Sequence, residues 1–288
     1  MHKLSNEIIT IKVQEKGAEL VSIVHKENNL EYIWSARPVW PKTSPILFPV
    51  VGGLKNSSYR FKGKEYTLPR HGFARDHFFE VDAQTDTSIT FLLESTEKIK
   101  ADFPFDFAFR VIYTLNEATL SISFIVENTG NETMYFSVGA HPAFAVPLQD
   151  GLAYSDYYLR FDENETLPRW PINNEGNISN TPIPFLVNAE RLPLQKELFD
   201  KDAIVLKNMK SSSITLRSDK SMHGVKVDFE GFPYMGIWAA KGADFVCIEP
   251  WCGIADHENA TGNLNEKEGI KKLDASEIFT KTYSISVF

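Results

Sequence analysis

Cysteine is scarce in this chain of 288 residues, which contains only Cys247 and Cys252. Two cysteines cannot build the disulfide framework of a small secreted protein. They also do not form one of the paired-cysteine motifs that hold structural metal ions. We therefore expect both to be reduced, packed thiols.

The chain also lacks an excess of positive charge and any long hydrophobic run. Its 30 Lys and Arg residues face 38 Asp and Glu residues, a formal net charge of -8. This balance argues against a nucleic-acid partner, because phosphate neutralisation needs clustered cations. No segment has the ~20 consecutive apolar residues that span a bilayer, so we expect no membrane partner. Residues 1–7 show no signal-peptide pattern, and we expect a cytoplasmic protein.

What the chain has in abundance is apolar residues in period-two patterns. Hydrophobic residues make up 43% of it, including 21 Phe. Residues 7–13 and 18–24 alternate as paired strands do, and residues 103–109 place a Phe at every second position. Strand-like segments continue to the C-terminus without a linker, although the proline-rich segment 152–199 predicts only short strands. These patterns predict one large all-β domain over residues 1–288, an antiparallel β-sandwich.

A carboxylate follows a strongly apolar segment near the C-terminal end. Residues 245–248 predict a strand buried on both faces, and Glu249 follows them directly. Pro250 has no backbone donor, so we expect the strand to end there with Glu249 at its rim. Burial of an unpaired carboxylate is costly, so Glu249 either has a salt-bridge partner or takes part in chemistry.

Two histidines occur in comparable positions. His141 follows an apolar strand and precedes a proline, which repeats the arrangement around Glu249. It is either a packed core histidine or a catalytic group, since histidine titrates near neutral pH. His71 lies in a Gly-containing loop with Arg70 and Arg75, either as a surface residue or as a ligand-binding one.

Several motifs together resemble a known family. The chain contains, in this order, Pro-Ile-Leu-Phe-Pro-Val-Val-Gly at residues 45–52, His-Gly-Phe-Ala-Arg at 71–75, Gly-Ala-His-Pro-Ala-Phe at 139–144, Cys-Ile-Glu-Pro-Trp at 247–251 and Gly-Ile-Ala-Asp at 253–256. This set resembles the aldose 1-epimerase (galactose mutarotase-like) family, and most closely its shorter bacterial branch. The resemblance extends from about residue 8 to the C-terminus.

The resemblance implies a β-supersandwich that interconverts the α and β anomers of a hexose without a cofactor or a metal ion. It implies that Glu249 is the general base for the anomeric O1 proton and that His141 is the general acid for the ring oxygen O5. It further implies that His71 binds sugar hydroxyls. We expect Trp238 or Trp251 to offer a ring face to the sugar. A small-molecule sugar is thus the expected partner.

One position departs from the family pattern. Related sequences often carry an Arg where this chain has Gly53, and Arg75 or Lys55 is expected to replace it. The motif at residues 71–75 also resembles that of the hexose-6-phosphate 1-epimerases, in which Arg residues hold phosphate. Basic residues near the motif are few, so we rank an unphosphorylated aldose first.

Two other classes of function stay open from the sequence alone. One is a carbohydrate-binding or sensing protein that keeps the fold without turnover, since a fold does not by itself imply an activity. The other is a glycoside-cleaving enzyme, which needs two carboxylates across the scissile bond. Asp228, Asp244 and Asp256 are the candidate partners of Glu249 for that chemistry.

Overall fold

The structure is a computed structural model that describes residues 1–288. It has one short α-helix, α1 (Glu97–Lys100), and five 3₁₀ turns at Lys55–Ser57, Ala74–Asp76, Tyr154–Asp156, Lys196–Phe199 and Leu264–Glu266. The strands are β1 (His2–Ser5), β2 (Ile9–Gln14), β3 (Glu19–His25), β4 (Leu30–Glu31), β5 (Ile46–Leu47), β6 (Ser58–Phe61), β7 (Lys64–Thr67), β8 (Glu80–Gln84), β9 (Ser88–Glu94), β10 (Phe107–Asn116), β11 (Thr119–Asn128), β12 (Met134–Phe136), β13 (Val138–Ala140), β14 (Ala143–Ala145), β15 (Tyr157–Arg169), β16 (Ile183–Pro193), β17 (Ile204–Lys207), β18 (Ser213–Ser218), β19 (Val225–Asp228), β20 (Tyr234–Trp238), β21 (Phe245–Cys252), β22 (Lys271–Leu273) and β23 (Ile278–Val287). The predicted all-β class is confirmed.

Two large antiparallel sheets organise these strands. One has nine strands in the order β16-β15-β18-β19-β23-β11-β10-β9-β8, and the other has six, β17-β20-β21-β13-β5 with β14 also paired to β21. Phe109 on β10 stacks on Phe48, which directly follows β5, with ring centroids 4.4 Å apart. Side chains from both sheets thus meet in one buried layer, as in a β-sandwich, and this layer is part of a cluster of 72 buried hydrophobic residues.

The alternation read from the sequence matches the burial along the central strands. On β11, every second residue from Leu120 to Asn128 is buried and the residues between are partly exposed. The Phe stripe is less regular, because β10 begins only at Phe107 and the prediction of a strand from Phe103 was wrong. Phe103 and Phe105 nevertheless lie in the core, where their rings contact each other at 4.8 Å.

The prediction of short strands within residues 152–199 was also wrong. β15 has 13 residues and β16 has 11, and together they form a long hairpin. Prolines fit there because β16 is the edge of the nine-stranded sheet and its register with β15 shifts three times. An edge strand with irregular pairing leaves backbone positions where a missing N–H costs little.

A buried carboxylate holds the proline-rich loop between β4 and β5. Glu19 Oε1 accepts hydrogen bonds from Thr43 N at 2.7 Å, from Thr43 Oγ1 at 2.9 Å and from Ser44 N at 3.0 Å. Three donors on one oxygen fix the C-terminal half of this loop against β3. The loop includes Trp40, whose ring stacks on that of His141.

The helices of this structure are all short, and none combines the length and the apolar character of a membrane-spanning segment.

Candidate active site

A cleft of about 280 Å³ opens beside β17, β20 and β21 of the six-stranded sheet. Six residues that the sequence assigned to catalysis or substrate binding line it: His71, Arg75, His141, Trp238, Glu249 and Trp251. Sequence reasoning assigned no role to three further polar or aromatic lining residues, Trp40, Arg70 and Asp202. The cleft therefore brings together side chains that are far apart along the chain.

Glu249 lies in the middle of β21 and not at its rim. The strand continues to Cys252, is buried along its whole length, and places Glu249 opposite Gly236 of β20. The prediction that Pro250 ends the strand was therefore wrong. Ile248 N donates to Pro142 O, so the N atom of Pro250, two residues on, faces the same side. That side is the break between β13 and β14, where no ladder partner needs a donor.

Trp251 forms a wall of the cleft and is 4% exposed. A Cβ atom at Gly236 would lie 2.3 Å from its ring, and one at Gly139 would lie 2.7 Å from it. The indole thus lies closely against the two neighbouring strands, which is possible because both positions are glycine. This packing leaves Trp251 a structural part of the wall, while Trp238 is half-buried and reaches the cleft from β20.

His141 follows β13 directly, as predicted, and its ring is held by aromatic neighbours. The Trp40 ring stacks on it at a centroid distance of 5.2 Å and an angle of 25°. Trp238 meets it edge-on at 5.6 Å. These contacts orient the imidazole, whose side chain is only 10% exposed.

His141 and Glu249 meet at the floor of the cleft. The distance between His141 Nε2 and Glu249 Oε2 is 3.3 Å, and the two side chains are 10% and 2% exposed. This contact lacks hydrogen-bond geometry, so Glu249 Oε2 has no hydrogen-bond partner in the protein, and the other ring nitrogen, His141 Nδ1, has none either. Buried polar atoms in folded proteins normally have such partners. This pair is therefore suited to a ligand that brings hydroxyl groups.

Burial changes the protonation of both groups. It lowers the pKa of His141 from 6.5 to about 3 and raises the pKa of Glu249 well above 4.5. Both shifts favour the neutral form, as desolvation does. Although an ion pair would form at 3.3 Å, desolvation of two buried charges outweighs its attraction. Burial therefore favours a pair in which Glu249 is protonated and His141 is neutral.

The loop at His71 is fixed by reciprocal hydrogen bonds with residue 52. His71 N donates to Gly52 O at 2.8 Å, and Gly52 N donates to His71 Nδ1 at 3.1 Å. Burial lowers the pKa of His71 well below 6.5, so the ring is neutral and its proton is on Nε2. Gly72 has φ +72°, and a Cβ there would lie 2.2 Å from Phe48 O. The glycine after His71 thus allows the loop to turn tightly and present an Nε2–H donor.

Two arginines and one aspartate complete the polar part of the cleft. Arg70 pairs with Asp202 at 3.4 Å, and Arg75 Nη2 donates to Arg70 O at 2.7 Å. Of the two cations expected to replace the Arg missing at Gly53, Arg75 lines the cleft and Lys55 lies in a separate surface depression. Arg70, noted from the sequence only as a neighbour of His71, is the second guanidinium of the site.

Comparison with known proteins shows the family of this chain. The family described as aldose 1-epimerase matches residues 1–267. The chromosomal LacX protein of Lactococcus lactis is 36% identical over 296 residues, which cover 99% of this chain and 98% of LacX. This chain belongs to the aldose 1-epimerase family.

Solved structures of this aldose 1-epimerase family share the fold over the whole chain. A galactose mutarotase related enzyme from Lactobacillus acidophilus has a TM-score of 0.94 and 35% identity, covering 100% of this chain and 97% of its own. A galactose mutarotase-like protein from Lactobacillus casei also has a TM-score of 0.94, with 31% identity and complete coverage of both chains. The predicted family and the mutarotase-like β-supersandwich are confirmed.

None of the three aspartates considered for glycoside cleavage lines the cleft of this aldose 1-epimerase homologue. Asp228 pairs with Lys226, and Asp244 pairs with Lys196 at 2.8 Å. Asp256 is buried in a 2.7 Å ion pair with Lys267. The carboxyl groups that line the cleft are those of Glu249 and Asp202.

We expect the buried pair to make stability depend on pH in two opposite ways. The folded pKa of Glu249 is raised, so its contribution is complete below about pH 4.5 and is lost as pH rises towards that folded pKa. The folded pKa of His141 is lowered, so stability is lost as pH falls from 6.5 towards about 3. A tenfold change in the proton affinity of one group on folding changes the free energy of unfolding by about 1.4 kcal/mol.

The pH dependence of stability is measured by thermal unfolding of the metal-free protein at intervals from acidic to weakly alkaline pH. Glu249→Gln should have a higher Tm than the wild type above neutral pH, with the gain shrinking as pH falls towards 4.5. A gain that is independent of pH would contradict the proposed protonation of Glu249.

Proposed function

We propose that this protein is an aldose 1-epimerase that interconverts the α and β anomers of an unphosphorylated hexose. The observation that carries the proposal is the 3.3 Å approach of His141 Nε2 to Glu249 Oε2 at the floor of the cleft. Mutarotation needs one group that takes a proton from O1 and another that gives a proton to O5. A histidine and a carboxyl group that share one proton supply both functions.

In the proposed reaction Glu249 is the general base and His141 the general acid. Before ring opening, Glu249 is a carboxylate and His141 an imidazolium. Glu249 takes the O1 proton, the C1–O5 bond breaks as C1 and O1 form a carbonyl, and His141 gives its proton to O5. Rotation about C1–C2 presents the other face of the aldehyde, and the reverse steps close the ring as the other anomer.

The protonation states explain why burial of the pair helps this chemistry. Ring opening converts a charged pair into a protonated Glu249 and a neutral His141. Burial favours this neutral form, as the directions of both pKa shifts indicate. The low-dielectric floor of the cleft therefore stabilises the state that accompanies the open-chain sugar. The charged form needed at the start has the same number of protons and is reached by one proton transfer across 3.3 Å.

The surrounding residues would hold the sugar in place. In our proposal the Nε2–H of His71 donates to a sugar oxygen, because its other nitrogen accepts from Gly52 N. Asp202 accepts hydrogen bonds from sugar hydroxyls, and Arg75 donates to them. Trp238 packs its ring against an apolar face of the sugar. Tryptophan suits such a contact because its ring is largely apolar while its N–H group is polar. Trp251 has less freedom for this role, since its ring packs against Gly139 and Gly236.

The charge balance at the cleft favours an unphosphorylated substrate. Arg70 is the most exposed cation there, and its guanidinium pairs with Asp202 at 3.4 Å. A phosphate that approached Arg70 would meet the carboxylate of Asp202, a like-charge contact that disfavours binding. A hexose 6-phosphate is therefore the second candidate, supported by the presence of two arginines in the cleft.

Polarimetry of freshly dissolved sugars tests the proposal. The purified protein should accelerate the approach of α-glucose or α-galactose to anomeric equilibrium in proportion to its concentration. A panel of aldoses and hexose 6-phosphates identifies the preferred class. Acceleration of the phosphorylated sugars alone would replace the first candidate by the second. Unchanged rates for every sugar, together with sugar binding by calorimetry, would instead assign a carbohydrate-binding protein.

A further inference from the structure

A third side chain with metal-binding chemistry lies beside the proton-transfer pair. Cys247 precedes Glu249 by two residues on β21, so both side chains point to the same face of the sheet. Ligand atoms of His141, Cys247 and Glu249 all lie within 4.8 Å of one another, and all three residues are buried. The proposed reaction does not use this thiol.

These three side chains offer a nitrogen, a sulfur and an oxygen ligand, a combination that suits Zn²⁺. Two ligand atoms ~2.1 Å from a tetrahedral Zn²⁺ are about 3.4 Å apart. The distance of 3.3 Å between His141 Nε2 and Glu249 Oε2 already matches this ligand-to-ligand distance. The Cys247 sulfur lies within 4.8 Å of both of these atoms and is the candidate ligand for a third corner of the tetrahedron.

The polar atoms at this place also lack partners within the protein. Glu249 Oε2 is fully buried and accepts no hydrogen bond, and the side chain as a whole is only 2% exposed. Buried carboxyl oxygens without donors are costly, and a cation is one way in which they are satisfied. Glu249 and His141 both line the cleft, so an ion can reach them from solvent.

We propose that His141, Cys247 and Glu249 form a binding site for Zn²⁺, an ion that the proposed reaction does not need. His141 Nε2, the Cys247 thiolate and a Glu249 carboxylate oxygen are three ligands, and water is the fourth. Formation of the Zn–S bond releases the thiol proton, and carboxylate binding releases the proton of the pair, both to the buffer. No electron transfer is involved. The bound ion covers both proton-transfer groups, so zinc inhibits turnover, a consequence that rests on the proposed function.

Direct metal binding tests the site without reference to sugar turnover. The full chain, stripped of metal with a chelator, is titrated with Zn²⁺ in competition with a chromophoric chelator, and separately with Co²⁺. We expect one ion per chain with micromolar or tighter affinity, and a thiolate-to-cobalt charge-transfer band in the near ultraviolet. Cys247→Ser and Cys247→Ala should each weaken Zn²⁺ binding by about tenfold or more and remove the band.

The second buried thiol provides a matched control. Cys252 is on the same strand and 1% exposed, but it is five residues from Cys247 and so faces the opposite side of the sheet. Cys252→Ser should bind Zn²⁺ as the wild type does. Glu249→Gln should weaken binding while remaining folded, which separates ligand loss from unfolding. Absence of binding, or binding and spectra that survive both Cys247 variants, would overturn the proposal whether or not the protein turns over sugars.

Discussion

The variant Glu249→Gln should lose about 10²- to 10⁴-fold in kcat/KM for mutarotation, the range that general acid–base groups contribute. Gln has nearly the same shape as Glu but cannot accept the O1 proton. The side chain is 2% exposed, so no solvent molecule readily takes over as base. The fold should persist, because a neutral amide replaces a carboxyl group whose neutral form burial favours.

A second buried glutamate distinguishes chemistry from a general effect of the substitution. Glu165 on β15 is 0% exposed, accepts from Ser211 N at 2.7 Å and does not line the cleft. Glu165→Gln makes the same chemical change at an equally buried place and should leave turnover per folded molecule unchanged. Polarimetry on both variants, with circular dichroism to confirm folding, makes the comparison. Comparable losses in the two variants, or full activity in Glu249→Gln, would remove Glu249 from the mechanism.

Period-two alternation was sufficient to predict the fold class because the central strands bury one face. On β10 and β11 the pattern of burial follows the alternation, and cross-strand pairs such as Phe109 with Val126 place apolar residues opposite each other. The hairpin of β15 and β16 escaped prediction because its outer strand is largely exposed. An exposed edge strand need not alternate and tolerates proline, so its sequence resembles that of a loop.

The position of Glu249 shows why a strand can continue through a proline. The sequence indicates that Pro250 lacks a donor, but not which neighbour that donor would have faced. In the structure the N atom of Pro250 faces the gap between β13 and β14, a tertiary feature created by the segment that carries His141. The same break therefore accommodates Pro250 and places His141 across from Glu249.

Two of the three residues missed in the site, Trp40 and Asp202, have neighbours in sequence that form no recognisable motif. Asp202 lies in a turn with φ +70°, and Trp40 lies in a proline-rich loop. Trp40 contacts His141 from a loop whose end is held by hydrogen bonds from Thr43 and Ser44 to Glu19 on β3. Contacts of this kind depend on the assembled fold, so a sequence pattern could not reveal them.

The variant His141→Asn should lose turnover to a similar extent as Glu249→Gln, for a complementary reason. Asn cannot give a proton to O5, and ring opening would expel an unprotonated alkoxide from C1. The wild type should show a bell-shaped dependence of kcat/KM on pH, because the pair works only while it holds one proton, and its two limbs report the coupled pair. His141→Asn should remove that shape along with about 10²- to 10⁴-fold of the rate.

A histidine outside the cleft separates this effect from loss of an imidazole in general. His25 on β3 is half-buried, its Nδ1 has no hydrogen-bond partner, and it does not line the cleft. His25→Asn should keep both the rate and the bell-shaped profile. His141→Asn also loses the stacking on Trp40, so its Tm should fall at neutral pH, whereas that of Glu249→Gln should rise. Two variants that lose turnover while their stabilities move in opposite directions cannot both be explained by unfolding. An unchanged pH profile in His141→Asn would instead assign the proton donor to another group of the cleft. His71 is the first alternative, because its Nδ1 accepts from Gly52 N and its Nε2 therefore carries the proton.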